Sequence, residues 1–468
     1  MKSLAQKKPK EKKTAFPLQF LVLTFYWLIL QGFYTAAKAA DPKHLEQLLT
    51  TKACPKCDLR DAQLQEANLQ EADLRGAKLD GAQLNHANLT RANLSGAELR
   101  GAKLAGAILT GTNLREAKLG IRQQETDRKL RSSLQSLKVE NSLSWLTYSA
   151  ILIRNWYEEV GTDLRDANLQ KADLYAADLT GSLLSRANLK EAQLNYATLV
   201  SANLEKADLT LSNLAAANLT GANLKEAQLK MANLSGANLS SGQMIGANLD
   251  SAKIDNANLS RADLSQANLN EANLNNAVLQ GAKLEDVVLI SANLRSANLS
   301  SSNLGGAKLK GAQLNRANLS GANLKRADLT NAKLAIANLT NAQLLGANLT
   351  NAYLHSANLT GANLDGVDLR SAQLRSADLT KATLVGATLE SATLISAQLT
   401  GANLTYSNLT LCDLRGANLT DANLSYANLS QADLGLATLV NANLSNANLS
   451  NTKLKGAIGL NSSSLLSR

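Results

Sequence analysis

Apolar and polar positions recur along most of this chain with a period of five. From Leu164 to Leu454 a large apolar residue stands at every fifth position, 59 positions in all, and each is leucine except Met244 and Ile254. An earlier run, Leu59 to Leu119, keeps the same beat for 13 positions. Two residues before each of these stands a small residue. It is alanine nearly throughout, with departures such as Ser182, Gly242, Val287 and Cys412. The residue between the two is mostly polar, and in the long run it is Asn or Asp at 38 of the 59 positions.

This period excludes both regular elements in extended form. Five residues of α-helix turn the chain about 500°, so successive leucines would spray over every face. A straight strand alternates faces with period two, and five is odd, so successive leucines would point to opposite sides. A short extended piece does place the leucine and the small residue on one face. A corner after each piece turns the next pair inward again. The pattern therefore predicts a coil with an interior, filled by leucine at about 1.5–3 kcal/mol per buried side chain. The Asn or Asp between them points outward, on a surface rich in turns. All four prolines (Pro9, Pro17, Pro42, Pro55) precede the repeats, as expected where coils pair backbone N–H and C=O groups.

Runs such as Ala202-Asn203-Leu204 and Ala322-Asn323-Leu324, set in unbroken pentads, resemble the pentapeptide-repeat proteins of the exported, cyanobacterial type. The resemblance covers residues 58–119 and 162–457. It implies an all-β solenoid, a right-handed quadrilateral β-helix with four pentads per coil, here with an N-terminal signal or anchor helix and a short helical insertion. It also implies roughly 15 coils in the long block, a rod about 70 Å long at ~4.8 Å per coil, and about three more in the short block. Solenoids of this kind are held by nearest-neighbour stacking and need caps at their ends.

The remaining segments depart from the beat. Residues 1–39 read as a signal peptide, with lysines from Lys2 to Lys13, an apolar run from Phe16 to Tyr34, and Ala37-Lys38-Ala39 before Asp41-Pro42. The alternative is an uncleaved anchor over residues 16–34. The leader also carries most of the charge. The chain is +10, but residues 1–39 hold seven Lys and one Glu, so the remainder is about +4 and nearly balanced. No Lys/Arg cluster stands out within the repeats, which hold five tyrosines and no Phe or Trp. Nucleic acid is therefore disfavoured as a partner. Residues 120–161 interrupt the repeats with two amphipathic helical patterns, one through Leu130, Leu134 and Leu137, the other through Leu146, Ala150, Ile153, Tyr157 and Val160. They are read as a helical insertion packed over the coils. The competing reading is a docking element with Trp145, Tyr148, Trp156 and Tyr157 as its contacts. Leu119 and Leu164 are 45 residues apart. That is not a multiple of twenty, so the two blocks are open to being separate solenoid pieces.

Residues 40–57 form an N-terminal cap, with a helix around His44–Thr51 and the pair Cys54-Pro55-Lys56-Cys57. A structural disulfide fits an oxidising export compartment, a placement shared by exported members of the resembled family. Redox and metal-binding readings compete with it. Cys412 reads as a buried small residue. His86 and His355 fall on outward positions and His44 precedes the repeats. No nucleophile elbow, phosphate loop or zinc helix is visible. The chain reads as a non-enzyme with no catalytic, cofactor or metal residues. It is expected to be a scaffold or protein-binding rod with an unidentified protein partner and no small-molecule substrate. Membrane contact would come only through the leader if it is uncleaved, and pairing of solenoid ends into a dimer is left open. Its address would be the periplasm or the thylakoid lumen. The alternatives are a redox or metal-binding envelope protein acting through Cys54 and Cys57, or a gyrase-binding DNA mimic, which the balanced charge and the leader oppose. Residues 458–468 are a tail.

Overall fold

The computed structural model describes residues 40–121 and 161–460; the leader, the aromatic part of the insertion with Trp145, Tyr148, Trp156 and Tyr157, and residues 461–468 lie outside them. Helix α1 spans Pro42–Thr51. Everything after it is built from one unit, a short extended rung followed by a corner. The middle residue of each rung pairs in parallel with the residue twenty positions on: Ala53 with Asp73, Asp58 with Lys78, Gln63 with Gln83, Asn68 with Asn88. Five residues per rung and twenty per coil make a four-sided β-helix. Its faces are numbered 1 to 4 from these four columns. From Ala53 to Ile458 the stack holds about 18 coils, roughly 85–90 Å at ~4.8 Å per coil.

The inward pair is as the pattern requires. Leu59 through Leu439 and the alanines before them are buried almost completely along the stack, apart from the partly buried Ala67. Where a hydroxyl replaces alanine it bonds to a carbonyl, so it carries no desolvation penalty. Thr112 donates to Leu89 O at 2.8 Å, Ser182 to Leu119 O at 2.8 Å, and Ser302 to Leu299 O at 2.7 Å. Cys412 is one such inward residue, 1% exposed; burial pushes its thiol pKa far up, and it is inert.

The backbone explains why five residues suffice. In each unit the leucine N–H and the N–H two residues after it bond to the following coil, as in Leu64 to Gln83 O (2.8 Å) and Glu66 to Asn85 O (3.0 Å). The middle residue bonds to the preceding coil, as in Gln83 to Ala62 O (2.8 Å). The small residue closes the corner on its own leucine, as in Ala67 to Leu64 O (3.2 Å). The second corner residue is left-handed in every unit from Lys56 to Glu116 and from Asp166 to Gly456, with φ between +52° and +76°. A turn with positive φ at its third residue is the type II geometry. It is taken here by Glu, Lys, Ser and even Ile336, so packing between coils overrides local preference.

One N–H per unit remains, that of the residue just after the leucine. It donates to the side-chain oxygen of the middle Asn or Asp two residues earlier, as in Thr90 to Asn88 (3.1 Å), Ser320 to Asn318 (3.1 Å) and Thr330 to Asp328 (3.0 Å). This local side-chain cap is the reason for Asn and Asp at that position, beyond their being polar. Where the middle residue is Glu98, Lys103, Lys333 or Thr383, an acid or amide one coil earlier serves instead. Arg100 N–H then finds Asp80, Ala105 N–H Asn85, Ala335 N–H Asn315 and Val385 N–H Asp365.

The two blocks are one stack, which corrects the reading of separate pieces. Lys103 pairs with Asp163, Ile108 with Asn168, Asn113 with Asp173 and Lys118 with Asp178, each sixty residues apart in place of twenty. The surplus is forty, two whole coil lengths, so the register is unchanged. Counting Leu119 to Leu164 as nine pentads misleads because the insertion is not made of pentads. It leaves the coil at Gly120 and returns at Gly161, the two positions of a single corner between faces 2 and 3.

Candidate partner-binding surfaces

The N-terminal end is closed by α1. Asp41 caps it, accepting from Lys43 N–H at 3.0 Å, and Lys52 ends it in the left-handed region. Leu48 is wholly buried and Leu45 partly so, both against the first coil. The N–H of Asp58 has no earlier coil to bond, and His44 Nδ1 accepts it at 3.2 Å. Cys54 and Cys57 are joined by a disulfide. Cys54 occupies the leucine site of the first rung and Cys57 the small-residue site of the next, 0% and 4% exposed. The bond therefore lies in the core and spans the same corner that Cys57 N–H closes on Cys54 O at 3.3 Å. A buried pair of this kind is shielded from an incoming thiolate, and among the described residues no group of three His, Cys, Asp or Glu is placed to hold a metal ion.

The outer surface is made of ladders one coil apart. Middle asparagines bond up the faces, as in Asn188 Nδ2 to Asn168 Oδ1 (3.1 Å) and Asn338 to Asn318 (3.2 Å). Every Asp-Leu-Arg triplet folds alike. In Asp58/Arg60, Asp73/Arg75, Asp163/Arg165, Asp368/Arg370 and Asp413/Arg415 the guanidinium forks onto the carboxylate. At Asp58, Asp73, Asp368 and Asp413 that arginine is the main cause holding the carboxyl below its usual pKa. At Asp163 burial acts upward most strongly, but the combined bonds to Arg165 more than offset it and the pKa is again lowered. Aromatic residues meet across coils in two places. Tyr175 packs edge-on against Tyr196 at 5.6 Å with Arg115 over its ring at 4.3 Å, and Tyr406 stacks on Tyr426 at 4.9 Å. His86 is left-handed, at φ +57°, and leans over Gly106, where a Cβ would sit 2.6 Å from Nδ1. His355 Nε2 lies 3.1 Å from Gln373 Oε1. The structure does not bring the three histidines together.

The statement that no Lys/Arg cluster stands out is overturned. Arg295, Lys308, Lys310, Arg316, Lys325, Arg326 and Lys333 are spaced along the chain, but coiling gathers them on two adjoining faces and the three corners that bound them. Writing the sequence in lines of twenty would have shown the grouping. Among the described residues no helix is long and apolar enough to cross a membrane.

The sequence model described as Pentapeptide repeats matches segments within 57–119 and 160–458. No curated protein sequence matches the chain. Among solved structures, a pentapeptide repeat protein (Rfr23) from the cyanobacterium Cyanothece 51142 is 36% identical, covering 20% of this chain and 65% of its own, with a TM-score of 0.20. One from the Arabidopsis thaliana thylakoid lumen is 32% identical, covering 21% of this chain and 63% of its own, with a TM-score of 0.17. HetL, from the cyanobacterium Nostoc sp. Strain PCC 7120 and involved in heterocyst differentiation regulation, is 31% identical, covering 57% and 91%, with a TM-score of 0.17. This chain thus spans just under two thirds of the first two.

Proposed function

The chain belongs to the pentapeptide-repeat family, whose fold is the right-handed quadrilateral β-helix, and on that premise we propose that it works as a non-enzymatic, protein-binding rod in an exported compartment. One observation carries this reading: the interior is packed from end to end with leucine and small residues. Chemistry and recognition are therefore confined to the outside of the rod. That outside is a rigid lattice, because three N–H groups of each unit bond to the coil before or after it and a fourth closes the corner. Such a lattice presents side chains at fixed spacing to a partner.

The partner contacts fall on departures from the repeat. The insertion holds Trp145, Tyr148, Trp156 and Tyr157, residue types enriched in interface anchors. It is rooted at one corner, so it can be read as a separate docking element on the rod. The lysine-rich leader and the Cys54–Cys57 disulfide support export to an oxidising compartment, periplasm or thylakoid lumen. Retention through residues 16–34 is the alternative.

Affinity capture from the native compartment tests the reading, with the full chain and with a chain lacking 121–160 as baits. A partner held by the first and lost by the second supports insertion docking. Identical partners move recognition to the outer ladders. No specific partner with either bait, or a turnover activity in the purified chain, overturns the proposal. The mass of the native protein tests export, since removal of residues 1–39 is expected.

A further inference from the structure

We propose that the two adjoining faces around Lys308 and Lys333 are a docking surface for an acidic, extended polypeptide segment that crosses the rod transversely. This rests on the reading of the chain as a protein-binding rod and names the chemistry of a partner.

Between Asp286 and Asp365 the sequence contains one carboxylate, Asp328, and seven cations. Twenty residues per coil fix where they stand. Lys325 and Arg326 lie on the corner between faces 3 and 4, and Lys308 on face 4. Lys310 lies on the next corner, Lys333 on face 1, and Arg295 and Arg316 on the corner after it. They form one continuous band over two faces and three corners. Arg295 to Lys333 is just under two coils, so the band is about 10 Å tall. The other side of the same coils is uncharged: Asn298 and Asn318 on face 2, Ser300 and Ser320 on its corner, Asn303 and Asn323 on face 3.

All seven side chains are exposed, and among the described residues none forms an ion pair. Elsewhere the same ladders bring opposite charges together, as in Arg186 with Asp166 and Lys206 with Glu226. Within the band Asp328, one coil from Lys308 on face 4 and bonded by Thr330 N–H, is the single carboxylate among seven cations, so like charges prevail and repel, a cost that a bound polyanion would remove. The shape of the band selects among polyanions. It runs across the rod and turns a corner, so a flat anionic membrane lying along one face would meet only part of it. One aromatic borders the band, Tyr353, which pairs with Lys333 on face 1; a single ring offers no run of platforms for successive bases to stack on. Most backbone N–H groups, which commonly hold phosphates, are used between coils or in closing corners. Four separate lysines and three arginines on a bent surface suit individual carboxylates on a flexible chain.

The test uses the folded chain, a fluorescently labelled oligoglutamate peptide, and anisotropy at low and physiological salt. One variant carries Lys308→Gln, Lys310→Gln, Lys325→Gln and Arg326→Gln. A control with the same loss of charge carries Lys190→Gln, Lys225→Gln, Lys253→Gln and Arg261→Gln. Circular dichroism verifies both folds. Saturable, salt-sensitive binding is expected, weakened about tenfold or more in the band variant and little in the control. Equal weakening in both, no saturable binding, or tighter band-dependent binding of duplex DNA or of phosphatidylglycerol vesicles overturns it. Capture that survives in the band variant but fails without 121–160 would sink this surface and leave the protein-binding rod standing.

Discussion

The backbone N–H of Thr162 donates to the carbonyl of Leu119 at 3.2 Å, closing over 42 intervening residues the same corner that Ala167 closes on Leu164 over two. The insertion thus leaves and re-enters at one turn of an uninterrupted stack. A chain lacking 121–160 leaves Leu119-Gly120-Gly161-Thr162, a corner of normal length. Gly161 is free to take the left-handed conformation of the other corners. The shortened chain is expected to fold with the same β signal per residue and a thermal midpoint within a few degrees of the parent. Aggregation, or separate melting of the segments before and after the junction, would show that the insertion is needed to join them.

The return point of the insertion is tight. A Cβ on Gly161 would lie 2.4 Å from the carbonyl oxygen of Gly181 and 2.7 Å from Ser182 N, both backbone atoms that cannot step aside. At Gly346, φ is +64° and nothing lies within 4 Å of the same atom. Gly346→Ala should therefore cost only the left-handed strain, about 1 kcal/mol. Gly161→Ala should cost about 2 kcal/mol or more through forced displacement. Urea midpoints of the two variants, with hydrogen exchange over 162–183, decide it. Equal midpoints would mean that the junction is loose.

How much of this was legible beforehand depends on what each residue does. Leucine and alanine betray themselves because both must be inside, so the interior followed from spacing. The left-handed corner residue left only a partial trace: 21 of the 28 glycines stand there, but Glu191, Ser291 and Ile336 adopt it as well. The number of rungs per coil came through resemblance, because a period of five says nothing about how sharply each corner bends. The basic band was hidden because its members are neighbours only once the chain has coiled. The Cys54–Cys57 pair was visible as a motif, but its place in core sites was not. The aromatic residues of the insertion stand outside the described residues.

The asparagine columns should be measurably stabilising. Asn318 accepts from Ser320 N–H at 3.1 Å, donates to Asn298 at 3.3 Å and accepts from Asn338 at 3.2 Å. Asn318→Ala removes all three and strands one backbone donor, a loss of about 1–2 kcal/mol. Asn318→Asp keeps the backbone bond, as Asp328 does with Thr330, but sets an oxygen against Asn298. Its loss should be smaller than that of alanine. An alanine variant as stable as the parent would refute the role given to this position.

Acid should act through the Asp-Leu-Arg forks. The folded pKa values of Asp58, Asp73, Asp163, Asp368 and Asp413 lie below the usual value. A lowered folded pKa means that the unfolded chain binds the proton first as pH falls. The forks then contribute fully above about pH 4, the unfolded carboxylate value, and their contribution is lost as pH falls through the folded values. Denaturation midpoints should be flat from neutral pH to about 4.5 and fall below about 4. A chain with all five aspartates changed to Asn should start lower and fall less. A slope below pH 4 that is unchanged by the five substitutions would assign acid sensitivity to other groups.

Reduction of the disulfide should loosen one end of the rod and no more. Cys54 and Cys57 close a loop of only a few residues, for which loop entropy supplies about 2 kcal/mol. The bond holds the first corner beneath α1, where Leu48 and His44 complete the end of the stack. In a solenoid each coil touches only its neighbours, so a local loss decays along the axis. Cys54→Ser with Cys57→Ser, or the parent under dithiothreitol, should speed hydrogen exchange over α1 and the first coil or two. Protection beyond Asp163 should stay within error of the parent. Faster exchange spreading past Asp163 would mean that the cap stabilises the whole stack cooperatively, and no change at the cap would mean that the leucine and alanine sites filled by the two sulfurs hold as well without the bond.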